Sequence, residues 1–168
     1  MVPSPASQPS AAPAPTGPPT VLFVGASDAA GSQMAAALLA RRAGGRVRAL
    51  SAGSVPAARV DPAAVTAMAE LGVDLSARFP KPLTADAVHV SDVVVSLGGA
   101  PRCPVLPGTR YLVWPVTDRD PADVEGVRGV RDDLDRRVQG LLEELAGRAP
   151  GAADRGATEP SRRPPSRA

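Results

Sequence analysis

The feature that most constrains this chain is the passage from Val21 to Arg42. Val21-Leu22-Phe23-Val24 is a continuous apolar run with no polar alternation. A strand that is apolar on both faces is covered on both faces, which points to a parallel strand inside an α/β sheet. The run gives way to a Gly- and Ala-rich loop, Gly25 to Gly31, and Ser32 then opens a helical pattern, Gln33 to Arg42, stopped by Gly44 and Gly45. Ser32 is of the side-chain type that caps helix N-termini. The passage therefore predicts strand, loop and helix, with the loop at the carboxyl end of the strand. In open α/β sheets that is where ligands sit.

The pattern continues downstream. Arg46 to Ser51 suits a second strand ending in Ala52-Gly53, and Ser91 to Leu97 reads as a third. Tyr111 to Trp114 suits a fourth. Asp61-Pro62 has the form of a helix cap followed by proline at the first helical position, with Gly72 as a stop. Val127, Val130, Leu134, Val138, Leu141 and Leu145 recur at spacings of three and four and make one helical stripe. The expected fold is a doubly wound, four-stranded parallel sheet with helices on both faces.

The ends read differently. Residues 1–19 are almost wholly Pro, Ala, Ser, Gly and Thr, too poor in large apolar groups to form a core. Residues 148–168 are similar but carry Arg155, Arg162, Arg163 and Arg167 against Asp154 and Glu159. Two disordered tails around one domain at 20–147 are expected. The net charge of +2 is accounted for by the second tail. No aromatic side chains interleave with its arginines, so the sequence carries no strong nucleic-acid signal. No stretch is long and apolar enough to cross a bilayer and no secretory leader opens the chain, so a cytoplasmic location without membrane contact is expected. Cys103 is the single cysteine, so no internal disulfide can form.

The loop matches neither common nucleotide motif. A Walker loop requires Gly, four residues, then Gly-Lys-Ser/Thr, whereas here five residues separate Gly25 from Gly31 and no lysine follows. The three spaced glycines of a dinucleotide fingerprint are also missing. No cofactor is expected.

A set of segments, taken together and in this order, resembles the low-molecular-weight protein tyrosine phosphatase and arsenate reductase family, in its actinobacterial arsenate-reductase-like form. They are Val21 to Leu39, Ser51 to Pro56, Pro80 to Leu83, Cys103 to Gly108, Trp114 to Asp118 and Val127 to Asp133. The resemblance implies a phosphotyrosine protein phosphatase I-like fold and a phosphate loop at residues 25–32. It also locates the departures. Gly25 stands where that family has its nucleophilic cysteine, and Gly31 where it has the oxyanion-gripping arginine. Asp28 replaces the loop asparagine. Gly99 replaces the first cysteine of the later redox loop, leaving Cys103 as a remnant. Asp118 matches the general acid, yet Arg119 follows it where proline is usual, and Asp120-Pro121 restores that dipeptide two residues on.

A thiolate nucleophile and a guanidinium clamp are what this chemistry requires, and glycine supplies neither. The resemblance with these departures implies a pseudoenzyme whose catalytic positions, Gly25, Gly31 and Asp118, are vestigial. Ala26, Ser27, Asp28, Ala29, Ala30, Gly31 and Ser32 remain as an anion-binding cradle at a helix N-terminus. The preferred expectation for that loop is a vestigial turn held by its own side chains, with the Asp28 carboxylate either at the mouth, repelling phosphate, or folded into the nest of donors. The other is weak binding of a small oxyanion. Asp28 and Asp118 facing one another could hold a cation, but no third ligand can be assigned, so no metal is expected. Two further readings stand. One is an enzyme with altered chemistry on a small phosphate- or arsenic-containing substrate, using Ser27, Asp28, Ser32 and Asp118. The other is a structural protein that meets a protein partner through its proline-rich tails. Aromatic residues are few, and Phe23, Phe79, Tyr111 and Trp114 are expected in strands or loops rather than around a phosphotyrosine ring. His89, the lone histidine, is expected at the surface or in packing.

Overall fold

A computed structural model describes residues 17–98, 103–116 and 123–148. Its strands are β1 (Thr20–Gly25), β2 (Arg48–Gly53), β3 (Val93–Leu97) and β4 (Arg110–Trp114). They form one parallel sheet in the order β2-β1-β3-β4. The helices are α1 (Gly31–Ala43), α2 (Pro62–Ala69), α3 (Ala85–His89) and α4 (Val124–Gly147). The parallel sheet with helices on both faces is as the sequence implied.

Strand β1 is buried along its whole length because it lies between β2 and β3 with both faces covered. Val21 and Phe23 join the larger core, shared with α1, α2 and α4. Leu22 and Val24 join a smaller one with Val88 of α3 and Val94. The unbroken apolar run is the direct result of those two cores. On the larger side, the alanines at 35, 36 and 37 let α1 lie close to both the sheet and α4. Phe23 meets Trp114 at 5.6 Å between ring centroids.

The α4 stripe buries Val127, Leu134, Val138 and Leu141, and half-buries Val130 and Leu145. One buried residue of α4 is polar. Arg131 is 8 % exposed, and its Nη1 donates to the Ala67 carbonyl and to Glu70 Oε2, each at 2.8 Å. Arg128 also grips Glu70, at 2.7 Å. These hydrogen bonds, from Arg128 first and then Arg131, hold the Glu70 carboxyl below its ordinary range. Glu70 and the arginines thus join α2 to α4.

Three local expectations need correction. Helix α1 begins at Gly31, one residue before Ser32, and its cap position, Ala30, has no side-chain bond. Strands β2 and β3 both start two residues later than the sequence pattern indicated. Helix α3 went unread, although Thr84 caps it by accepting from the Ala87 N–H. By contrast, Asp61 caps α2 through the Ala63 N–H, with Pro62 at the first position, as expected. His89 ends α3 and is exposed. No helix among the described residues is long and apolar enough to cross a membrane.

Candidate functional site

The loop between β1 and α1 is fixed from outside by its carbonyls. The Ser54 N–H donates to Gly25 O at 3.2 Å, Val55 to Ala26 O at 2.8 Å, Ala57 to Ser27 O at 2.9 Å and Asp61 to Ala29 O at 2.7 Å. Each peptide unit is planar, with its N–H opposite its C=O. Turning these four carbonyls outward therefore turns the N–H groups of Ala26, Ser27, Asp28 and Ala30 inward. The N–H groups of Gly31 and Ser32 open a helix and have no partner within it. From Ala26 to Ser32, no backbone N–H donates to an acceptor among the described residues. They surround a small cavity, of about 30 Å³, walled further by Leu97 and Val116.

Close approach of the loop to β2 depends on one glycine. A Cβ at Gly53 would lie 2.8 Å from the backbone of Ser27 and of Asp28. Gly53 also anchors the strap at 79–83, donating to Lys81 O and accepting from the Leu83 N–H, both at 2.8 Å.

Asp28 neither guards the mouth nor fills the nest. It takes a left-handed turn, φ 50°, which Asp tolerates better than most residues, and its side chain passes beneath the loop. There it is 1 % exposed. Its carboxylate accepts from Ser32 Oγ at 2.6 Å, Gln33 Nε2 at 3.0 Å, Ser51 Oγ at 3.3 Å and the Lys81 N–H at 2.9 Å. The ammonium of Lys81, the chain's single lysine, stands 3.6 Å away and offsets the buried charge. Asp28 thus ties the loop to α1, β2 and the strap at once. The carboxylate accepts the Ser32 hydroxyl of its own loop but none of the loop's backbone N–H groups; its other partners are Gln33, Ser51 and the Lys81 N–H.

Positions 25 and 31 carry no such duty. Neither has a positive φ. A Cβ at Gly25 would meet Ser32 Oγ at 3.4 Å, an ordinary contact, and one at Gly31 would meet the flexible end of Leu97 at 3.3 Å. The backbone there does not demand glycine.

The remaining predicted residues are scattered. Ser27 is exposed at the loop's crest. Cys103 is half-buried against the smaller core, and burial pushes its thiol above the ordinary range. Gly99, Asp118, Arg119, Asp120 and Pro121 lie outside the described residues. With Asp28 turned beneath the loop, the pairing of two carboxylates across the cavity loses one of its members. Among the described residues no group of three or more His, Cys, Asp or Glu side chains is placed to hold a metal ion. Tyr111 exchanges hydrogen bonds with the 104–106 turn and Trp114 packs on Phe23, so neither walls the cavity. Gln33, Ser51 and Lys81 were missed by sequence reasoning. The Pro80-Lys81-Pro82 string was the one signal available, and it gave no hint of the contact with Asp28.

Residues 20–149 match the family model described as low molecular weight phosphotyrosine protein phosphatase. A Halobacterium salinarum protein, provisionally named an arsenate reductase, is 34% identical over 132 residues, covering 73% of this chain and 90% of its own. The structure resembles the thioredoxin-dependent arsenate reductase of Corynebacterium glutamicum, with a TM-score of 0.70 and 35% identity over 79% of this chain. The chain spans 64% of that protein's length. It also resembles an arsenate reductase solved in a phosphate-binding state, with a TM-score of 0.65 and 29% identity, covering 76% of this chain and 98% of that one. With a family model matched across its whole core, this chain belongs to the low molecular weight phosphotyrosine protein phosphatase family.

Proposed function

We propose that this protein is a non-catalytic member of its family that binds a small oxyanion in the Gly25–Ser32 loop. The observation that carries the reading is the set of backbone N–H groups of Ala26, Ser27, Asp28 and Ala30, turned inward, with those of Gly31 and Ser32 at the helix start, all without acceptors among the described residues. Converging donors at a helix N-terminus suit a phosphate-like anion.

The same loop contains no thiol, and its one free hydroxyl, Ser27, is exposed at the crest with no base in hydrogen-bond reach among the described residues. Gly25 and Gly31 stand at the positions that the family resemblance assigns to cysteine and arginine, and the Ser32 hydroxyl is committed to Asp28. Asp28 is in turn saturated by its own donors, which argues against its service as a base in altered chemistry. The cradle holds its shape without a catalytic side chain and so acts as a receptor for the anion.

The test has two arms. Thermal unfolding of the chain is followed against phosphate, arsenate, arsenite and sulfate, and a dose-dependent rise with the tetrahedral anions is expected. Turnover of an aryl phosphate and of arsenate is measured for the wild type and for Gly25→Cys/Gly31→Arg. The wild type should show neither, and the double variant should gain aryl phosphate hydrolysis, since a Cβ is admitted at 25 and, with a small shift of the Leu97 end, at 31; arsenate reduction, which needs a two-electron thiol reductant the chain does not supply, should stay absent. Turnover by the wild type would refute the non-catalytic reading, and a flat anion panel would refute the receptor.

A further inference from the structure

The cradle's donors are backbone groups, but a buried side chain also stands on its wall. Ser32 lines the cavity and is 2 % exposed. Its Oγ is the nearest atom to where a Cβ at Gly25 would begin, at 3.4 Å, and Gly25 lines the same cavity. We propose that Ser32 selects the anion, by offering it an acceptor rather than a donor. The ligand class is a tetrahedral oxyanion that still carries a hydroxyl, of which hydrogen phosphate is the simplest. Sulfate, which has no hydroxyl, is disfavoured. This inference deepens the oxyanion reading above and rests on it.

The direction of the Ser32 hydroxyl follows from its partner. A hydroxyl has one proton to donate and two lone pairs that accept, whereas a carboxylate only accepts. Ser32 Oγ lies 2.6 Å from Asp28 Oδ1, so its proton is turned onto that oxygen. Asp28 is 1 % exposed, so bulk water does not compete for the bond. Among the described residues no donor reaches Ser32 Oγ in return, and its lone pairs are left for the cavity. The inward N–H groups answer the bare oxygens of an anion. A P–OH proton needs an acceptor instead, and the carbonyls of Gly25, Ala26, Ser27 and Ala29 are all turned away onto residues 54–61. Ser32 Oγ meets that need. A bare sulfate oxygen in the same place would face a lone pair.

The other oxygen of Asp28 shows how the arrangement is reversed. Oδ2 accepts from Gln33 Nε2, Ser51 Oγ and the Lys81 N–H, while Oδ1 accepts from Ser32 alone. The Ser51 hydroxyl accepts from Lys81 Nζ at 3.2 Å, so its own proton is also free to turn onto Oδ2. In Asp28→Asn the amide oxygen takes the place of Oδ2, where three donors converge, and the amide nitrogen takes that of Oδ1. The nitrogen then donates to Ser32 Oγ, and the hydroxyl proton is released to point into the cradle. Asparagine is what the family resemblance places at 28. The carboxylate there is therefore what makes Ser32 an acceptor.

The experiment is calorimetric titration of the full chain with inorganic phosphate and with sulfate at about pH 8, where both are dianions and only phosphate keeps a proton. Phosphate should bind about tenfold more tightly than sulfate, the effect of one hydrogen bond made in place of one lone pair opposed. Asp28→Asn should close most of that gap. The two anions carry the same charge, so loss of the Asp28 charge strengthens both alike and the ratio reports the Ser32 hydroxyl. Ser32→Ala removes the acceptor while leaving the carboxylate in place, and it should close the gap as well. If the wild type binds both anions alike, or if the gap survives in either variant, selection by Ser32 is wrong and the cradle stands. If neither anion binds, both readings are wrong.

Discussion

The Gly25–Ser32 loop and the α2–α4 seam are both crowded with polar groups, and they differ in how those groups are answered. At the seam, Arg131 meets Ala67 O and Glu70, and Arg128 meets Glu70 from the other side. In the loop, four carbonyls are answered by residues 54–61, while the N–H groups opposite face a cavity. Both regions are equally tied into the fold, so looseness does not explain the difference. A polar group whose partner lies within the chain is there for structure. A fixed row of donors without one is, on the function proposed above, where an anion from outside would sit.

The sharpest way to break this contrast is Asp28→Ala. It removes the acceptor beneath the loop and strands Ser32, Gln33, Ser51 and the Lys81 ammonium. Breaking a buried charge network from one side costs about 3–5 kcal/mol, measurable by urea unfolding. Asp28→Asn keeps one accepting oxygen and should cost less. Equal and small losses in both variants would mean that the loop is held by its carbonyls alone.

Next is Gly53→Ala, which forces a methyl group against the backbone of Ser27 and Asp28. Overpacking of this kind costs about 1–3 kcal/mol. Here it should also displace the donors, so phosphate affinity should fall with stability. Arg131→Ala should cost a comparable or smaller amount, about 1–2 kcal/mol for the lost charge-assisted bonds, and leave phosphate affinity unchanged. A fall in affinity with that variant would erase the distinction between seam and site.

The smallest effect is with pH. Hydrogen bonds from Arg42 hold Asp135 below its ordinary value of 3.8, those from Arg137 do the same for Asp133, and Glu70 lies below 4.5. Their native-state values are depressed, so the stability they lend is present above those ordinary values and drains away as pH falls below them. The pairs are partly exposed, so the loss should be modest and should shrink in high salt. Unfolding midpoints compared at neutral and acidic pH, with and without salt, check this, and Arg131→Ala should soften the acid loss.

Much of the fold was legible because burial writes itself into periodicity. The unbroken run at Val21–Val24 reported a strand covered twice, and the stripe from Val127 to Leu141 reported the face of α4. Asp61-Pro62 gave the start of α2 through local chemistry alone. What stayed hidden depends on contacts far apart in the chain. Arg131 has the spacing of a core position and the composition of a surface one, and only Ala67 and Glu70, some sixty residues earlier, explain its burial. Asp28 was visible as a departure from the family pattern. Its direction was not, because Lys81 lies 53 residues away in a segment with no periodicity of its own. Gly53 likewise looked like the end of a strand until the loop was seen against it.

The outward ties of the loop carbonyls bear on how such a chain changes over generations. They hold the curve of the loop through backbone atoms, which every residue possesses, and through Gly53 and Asp28, which sit off the reacting positions. A Cβ at 25 is then admitted in ordinary contact with Ser32, and one at 31 if the end of Leu97 gives slightly. If 25 and 31 are the reacting positions, as the proposed function takes them to be, shape and reactivity rest on different residues, and a change at the second set would leave the first intact.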